Sequence, residues 1–147
     1  MSKHKRVIGT TPEAIARAEQ QLGRSLPKSF REWLLANNGL GLGSISIFPV
    51  QDDRDVRKTW ASIVQNYQNG WEAWLEIYED ERDALSSLLP FAEFSTGDYY
   101  CFDYSRVGLH GEPPVVLWSH ESENLEPRGE WFVEFKERLL KGEFEYD

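Results

Sequence analysis

The chain has 147 residues, a length that predicts one domain, and its 40% hydrophobic and 14% aromatic residues are enough to fill a core. Its single cysteine excludes an intramolecular disulfide, and no apolar run approaches the roughly 20 residues that a membrane span needs. The net charge of −9 disfavours direct binding to nucleic acid. We therefore expect a soluble, cytoplasmic protein with no membrane segment and no nucleic-acid ligand.

The charge is unevenly distributed along the chain. Residues 1–50 contain seven Lys or Arg and three Glu, giving +4, whereas residues 51–147 contain nine Lys or Arg and 22 Asp or Glu, giving −13. An acidic face keeps many proteins soluble, and it can also meet a basic partner. Composition leaves both interpretations open.

The first 50 residues predict two helices and a short strand. Thr10 and Glu13 stand at capping-box spacing and Gly23 ends the first helix. The second helix begins after Pro27 and ends at Asn38-Gly39, where we expect left-handed backbone. The predicted buried positions are Ala14, Ile15, Ala18 and Leu22 on the first helix and Phe30, Trp33 and Leu34 on the second. The alternating "GSISIFPV" then predicts a strand that Pro49 closes.

The rest of the chain predicts a third helix, then strands, then a closing helix. "DDRDVRKTWASIVQNYQNG" carries aspartates in its first turn, with Val56, Trp60, Ile63 and Tyr67 at helical spacing. Residues 71–88 are ambiguous. "LPFAEF", "DYYCFDYS" and Val115–Ser119 are typical of strands or strand starts, and "RGEWFVEFKERLLKG" of a helix.

This order, α-α-β-α-β-β-α, predicts the α+β fold class. We expect an N-terminal tail over residues 1–10 and a single domain over residues 11–147, whose mixed, largely antiparallel sheet is flanked by helices. One core should contain the following large side chains: Phe30, Trp33, Phe102, Trp118 and Phe135.

No group of residues shows the spacing of a catalytic or metal site. Cys101 lies between Tyr100 and Phe102, surroundings in which a thiol is structural rather than reactive. The three histidines form no HExxH or paired Cys/His motif. Asp98 and Asp103 are five positions apart and so point to opposite faces of one strand. The prediction is a protein without catalytic residues, metal or cofactor.

Four separated blocks of the sequence resemble one family. They are "LPKSFREWLLANNG", "LPFAEFSTGDYYCFDYS", "GEPPVVLWSHE" and "WFVEFKERLL". In this order they resemble the SUKH superfamily, also called the Smi/Knr-like family, over residues Thr11 to Leu140. No motif of the family is recognisable between Val50 and Leu88.

The resemblance implies an α+β fold with a mixed sheet flanked by helices, and no established catalytic residues. Most bacterial members resemble immunity proteins, each of which binds and blocks a cognate secreted toxin that is often a nuclease. Eukaryotic relatives are cell-wall signalling regulators with long disordered arms. We expect the bacterial type, because this sequence contains no such arms.

The candidate partner-binding residues lie in the two C-terminal strand blocks. They are Asp98, Tyr99, Asp103, Tyr104, Glu112, Trp118, His120, Glu121 and Glu123. The carboxylates would form an acidic rim that faces a toxin, a basic nuclease domain being one candidate, and exposed aromatic residues would anchor the contact. Asp98 and Asp103 also suit the capping of strand ends. Two alternatives stay open: a small hydrolase that uses sheet carboxylates, and a signalling scaffold like the fungal regulators.

Overall fold

The folded chain is built on a five-stranded antiparallel sheet. A computed structural model describes residues 9–42, 45–71, 76, 85–93, 98–108, 110–119 and 125–143. Its helices in these residues are α1 (Pro12–Leu22), α2 (Lys28–Asn37), α3 (Val56–Thr59), α4 (Ile63–Asn66) and α5 (Phe132–Leu140). Its strands are β1 (Ser46–Ile47), β2 (Leu88–Glu93), β3 (Tyr99–Asp103), β4 (Val115–Trp118) and β5 (Leu125–Gly129). A 3-10 turn over Asp53–Asp55 precedes α3, and a π-helical turn over Tyr67–Trp71 follows α4.

The strands lie in the sheet in chain order, and each pairs antiparallel with the next. The predicted α+β class is confirmed, and every strand pair in the described residues is antiparallel. β5 was not predicted. Its sequence "LEPRG" is mostly exposed and lacks apolar alternation, so no local pattern indicates a strand. Backbone pairing with β4 holds it at the edge of the sheet. Pro127 is tolerated there, since an edge strand can lack a ladder donor.

The ends of α1 and α2 differ in detail from the prediction. Thr11, not Thr10, caps α1, its Oγ1 accepting a bond from the Ala14 amide at 3.2 Å. Gly39 is left-handed with φ 92°, but Asn38 is not. Its buried side chain instead donates to the Val50 carbonyl at 3.0 Å and accepts from the Val50 amide at 2.9 Å. Asn38 therefore joins α2 to the chain after β1.

One face of the sheet packs against α1, α2 and α5. Its centre is a group of phenylalanines in which Phe91 stacks on Phe102 at 4.1 Å between ring centroids. Phe30 from α2 contacts the Phe102 ring edge-on at 5.2 Å, and Phe135 from α5 contacts Phe91 at 5.6 Å. As predicted, Phe30, Phe102 and Phe135 are fully buried, while Trp33 is half-buried.

The opposite face of the sheet carries a second hydrophobic cluster, so the prediction of one core is wrong. This second-face cluster consists of Trp71, Leu85, Leu88, Cys101, Val116 and Trp118. Val115 and Leu117 of β4 belong to the first core, whereas Val116 and Trp118 belong to the second-face cluster. Alternate residues of a strand point to opposite faces, which places Trp118 away from Phe30 and Phe135.

Replacing Phe135 with alanine should lower the free energy of unfolding by about 3–5 kcal/mol, because the side chain is fully buried. Denaturant unfolding measures the change. Leu140→Ala on the same helix is the matched control, since Leu140 is 62% exposed and should shift the midpoint little. Equal midpoints for the two variants would show that α5 is packed by a different face.

Candidate functional site

β3 uses its side chains to fill both faces of the sheet. Tyr100 and Phe102 belong to the first core, and Cys101 belongs to the second-face cluster. Cys101 is completely buried, and desolvation, together with the nearby Asp103 charge, raises its pKa well above that of a free thiol. The expectation of a structural cysteine is confirmed by this burial. The central strand is thus part of the packing.

Asp103 is buried and fixes the turn after β3. Its Oδ1 accepts hydrogen bonds from the Ser105 amide at 3.0 Å and from the Ser105 hydroxyl at 2.6 Å. The Arg106 Nε lies 3.7 Å from its other oxygen. Asp98, just before β3, is half-buried. The strand-end role explains Asp103, and its expected place on an exposed rim is wrong.

Glu112 is also buried, where it caps α2 from a distance in sequence. Pro27 at the start of α2 offers no side-chain cap. Instead, Glu112 Oε2 accepts from the Ser29 amide at 3.1 Å, and Oε1 accepts from the Ser29 hydroxyl at 2.6 Å. A carboxylate is favourable at a helix N-terminus, where amides lack partners. Glu112 is therefore not exposed on the expected acidic rim.

The aromatic residues expected to be exposed anchors are largely packed. Trp118 is fully buried, because its ring meets Trp71 edge-on at 5.0 Å. Tyr99 is half-buried beside these two rings, at 6.1 Å from Trp71 and 6.2 Å from Trp118. Tyr104 is half-buried as well. Its hydroxyl donates to the Ser25 carbonyl at 2.7 Å, and desolvation foremost raises its pKa. The expectation that Trp118 is an exposed anchor is therefore wrong.

The remaining three candidate residues, His120, Glu121 and Glu123, lie outside the described residues. Of the other six, the structure brings Tyr99 and Trp118 together by strand pairing. Asp103 stabilises the turn after β3, and Glu112 caps α2. The acidic rim expected from the sequence is consequently not assembled by the described members of the set.

The second face of the sheet is covered by the segment that carried no recognisable motif. Trp71, at the end of the π-helical turn, is 1% exposed and contacts both Tyr99 and Trp118. Its indole Nε1 donates to the Leu85 carbonyl at 3.3 Å. A π-helical turn is rare and often occurs at functional positions. Here it carries the chain onto the sheet. The predicted continuous helix over residues 52–70 is wrong, because it is interrupted between Thr59 and Ile63.

The same break in the helix turns Val56 and Trp60 outward. They stand at helical spacing with Ile63, which is fully buried, yet Val56 is 40% and Trp60 is 59% exposed. Trp60 borders an open groove whose other lining residues are Ala61, Gln65, Asn66, Asn69 and Gly70. We name Val56 together with the groove residues the Trp60 surface. It is the clearest candidate recognition surface in the described residues, because a large aromatic side chain meets water beside neutral amides.

A hydrogen-bond network holds the chain just before Trp60. Asp52 is 3% exposed and accepts from the Thr10 hydroxyl at 2.8 Å, the Arg54 amide at 2.9 Å and the Arg54 guanidinium at 2.7 Å. Its amide donates to Thr59 Oγ1 at 3.0 Å, which in turn donates to the Asp55 carbonyl at 2.9 Å. The hydrogen bonds from Arg54 foremost, then that from Thr10, keep the pKa of Asp52 well below its usual range.

The chain just after Trp60 is held equally well. Ser62 Oγ accepts from the Gln65 amide at 3.1 Å and caps α4. The Ile63 amide donates to the Pro49 carbonyl at 2.7 Å, and the Ile63 side chain is fully buried. Trp60 thus projects from a short segment that is anchored on both sides, which lowers the entropic cost of presenting it to a partner.

Acid should weaken this anchoring. Since the pKa of Asp52 is lower folded than unfolded, its stabilising effect is present above about pH 4 and is lost as pH falls below that value. Asp52→Asn should lower stability at pH 7 and reduce the further loss between pH 5 and pH 3, measured by urea unfolding. Asp53→Asn, at the exposed neighbouring position, is the control. An unchanged acid dependence in Asp52→Asn would contradict this assignment.

Neither a metal site nor a membrane-spanning helix is found in the part of the chain that the structure describes. No three His, Cys, Asp or Glu side chains there are grouped in a way that could hold a metal ion. None of the helices in the same residues has the length and apolar character required to cross a bilayer.

A protein-family model matches the chain. The model of the SMI1 / KNR4 family (SUKH-1) matches residues 9–138, which include α1 to α4, all five strands and most of α5. No curated protein matches the chain significantly. Since the family model spans most of the 147 residues, the chain belongs to the SMI1 / KNR4 family (SUKH-1).

Proposed function

We propose that this protein is a non-enzymatic immunity protein that neutralises a cognate protein toxin by binding it directly. Family membership supports a binding or regulatory role over catalysis. The sheet carboxylates that a small hydrolase would use are engaged elsewhere, Asp103 in a turn and Glu112 in the cap of α2. Both residues serve the fold.

The observation that carries the proposal is the exposure of Trp60 on an anchored segment. Tryptophan is enriched among residues that dominate protein–protein binding energy, since its large ring excludes water when a partner covers it. Amide side chains such as those of Gln65 and Asn69 add polar groups that can bond to a partner beside such a ring. A protein partner suits this combination of apolar centre and neutral polar surround.

The acidic balance of residues 51–147, at −13, supports a toxin with a basic surface. A nuclease holds phosphates with Lys and Arg, and an acidic protein can approach such a cleft by electrostatic attraction. Glu121 and Glu123, in the connection between β4 and β5, remain the sequence-based candidates for this attraction. Charge would then speed association, and desolvated side chains would supply affinity.

Survival of toxin-expressing cells tests the function. We expect a gene next to this one to encode a protein with a C-terminal toxin domain. Cells that express this domain should die, and co-expression of this protein should rescue them. The purified pair should also form a stable complex in size-exclusion chromatography. A non-cognate member of the same family is the control and should neither rescue nor bind. Failure of this protein to bind the domain or to protect the cells would refute the proposal.

Reversal of two acidic residues tests the electrostatic contribution. Glu121→Lys with Glu123→Lys should slow association with the toxin domain and weaken its salt dependence, because steering depends on unscreened charge. For the unmodified protein, stopped-flow rates should fall about tenfold or more from low to high salt. The thermal midpoint should be nearly unchanged.

The matched control for charge is Glu13→Lys with Glu32→Lys. Both residues are exposed on α1 and α2, in the part of the chain without acidic excess. This variant has the same net charge as the test variant and should associate faster than it. A salt-independent rate together with full protection by the Glu121 and Glu123 variant would mean that the acidic residues are only solvated.

A further inference from the structure

The centre of the Trp60 surface is apolar and neutral. Val56 and Trp60 are four residues apart on one helical path, so their exposed side chains are neighbours. The groove beside them is lined by no charged residue among those described. Its amides are held in place: the Asn69 side chain donates to Gln65 Oε1, and the Asn66 side chain donates to the Ser62 carbonyl at 2.9 Å. This centre is organised before any partner arrives.

The charge beside this centre is positive, against the trend of residues 51–147. Asp52 is buried beneath Arg54, and Asp53 lies 3.9 Å from Arg17. Asp55 is half-buried and accepts from the Lys58 amide at 3.3 Å. Asp52 and Asp53 are therefore paired with arginines, while the Asp55 carboxylate keeps its charge and caps the start of α3.

Two exposed cations of the same segment have no such compensation. Arg57 and Lys58 form no ion pair within the described part of the chain. Arg57 precedes Trp60 by three residues, a spacing that places both on one helical face. A partner that covers Trp60 must then meet a positive charge at the edge of the contact, and carboxylates complement it.

Building on the proposed function, we infer that the Trp60 surface is the docking site for the toxin and that it meets a toxin patch with an apolar side chain flanked by carboxylates. This patch lies outside a phosphate-binding cleft, because a cleft lined by Lys and Arg would be repelled by Arg57. Two contacts of opposite sign, basic at Trp60 and acidic elsewhere, would permit only one docking orientation.

Surface plasmon resonance with the immobilised toxin domain from the adjacent gene tests this inference. Trp60→Ala should raise the dissociation rate about thirtyfold or more, as loss of a central anchor does. Arg57→Glu should raise the Kd by about three- to tenfold, since it places a negative charge opposite carboxylates. Both residues are exposed, so circular dichroism and thermal midpoints should match those of the unmodified protein.

Matched control variants make the same kinds of change at positions outside the Trp60 surface. Val107→Ala removes a 76% exposed apolar side chain from the loop between β3 and β4, and Lys28→Glu reverses an exposed cation at the start of α2. Each should change the Kd less than twofold. Equal dissociation rates for Trp60→Ala and Val107→Ala would place the interface elsewhere, and tighter binding by Arg57→Glu would show that the toxin patch is basic.

Three outcomes concern other occupants and the proposed function itself. A dimer in analytical ultracentrifugation that Trp60→Ala dissociates would assign the surface to self-association and overturn the inference. Binding of single-stranded oligouridylate that depends on Trp60 would do the same. If the unmodified protein neither binds the toxin domain nor protects cells, the proposed function fails, whereas binding that is indifferent to Trp60 leaves the function intact and removes only this docking site.

Discussion

Trp71 covers the second face of the sheet, and the exposure of Val56 and Trp60 depends on the path that the chain takes to reach this contact. An antiparallel sheet can leave one face to solvent, but here alternate positions of β3 and β4 place Cys101, Val116 and Trp118 on the face opposite the phenylalanine core. Trp71 covers them, with its ring edge-on to Trp118 at 5.0 Å. To reach that position the chain breaks its helix after Thr59 and ends α4 in a π-helical turn.

That break separates buried from exposed aromatic residues over a short distance in sequence. In one continuous helix, Val56, Trp60, Ile63 and Tyr67 would share a face. In the folded protein Ile63 is fully buried, whereas Trp60 is largely in water. The exposed tryptophan does not loosen the segment, because Asp52 and Thr59 hold it on one side and Ser62 on the other. The fold thus presents an apolar side chain from a fixed base, which is what recognition of a protein partner requires.

Three acidic residues in the described part of the chain are buried and stabilise the fold. Asp52, Asp103 and Glu112 are buried, and each is balanced by hydrogen bonds from backbone amides or hydroxyls. Such carboxylates stabilise turns and helix ends and cannot also steer a partner. The net charge of a sequence segment therefore overstates the charge that a partner can meet. Identification of the charges that act on a partner requires the burial of each carboxylate.

The sequence by itself determined the features that depend on near neighbours. The period of Ala14, Ile15, Ala18 and Leu22 predicted the buried face of α1. The aromatic neighbours of Cys101 predicted that its thiol is structural, and it is buried in β3. The four sequence blocks also pointed to the family that the family model shows.

Only the tertiary structure decided the features that depend on distant partners: the Glu112 cap on Ser29, 83 positions away, the edge strand β5, and the exposure of Trp60. A local pattern records spacing along one element, whereas these features arise from contacts between elements that the pattern does not encode.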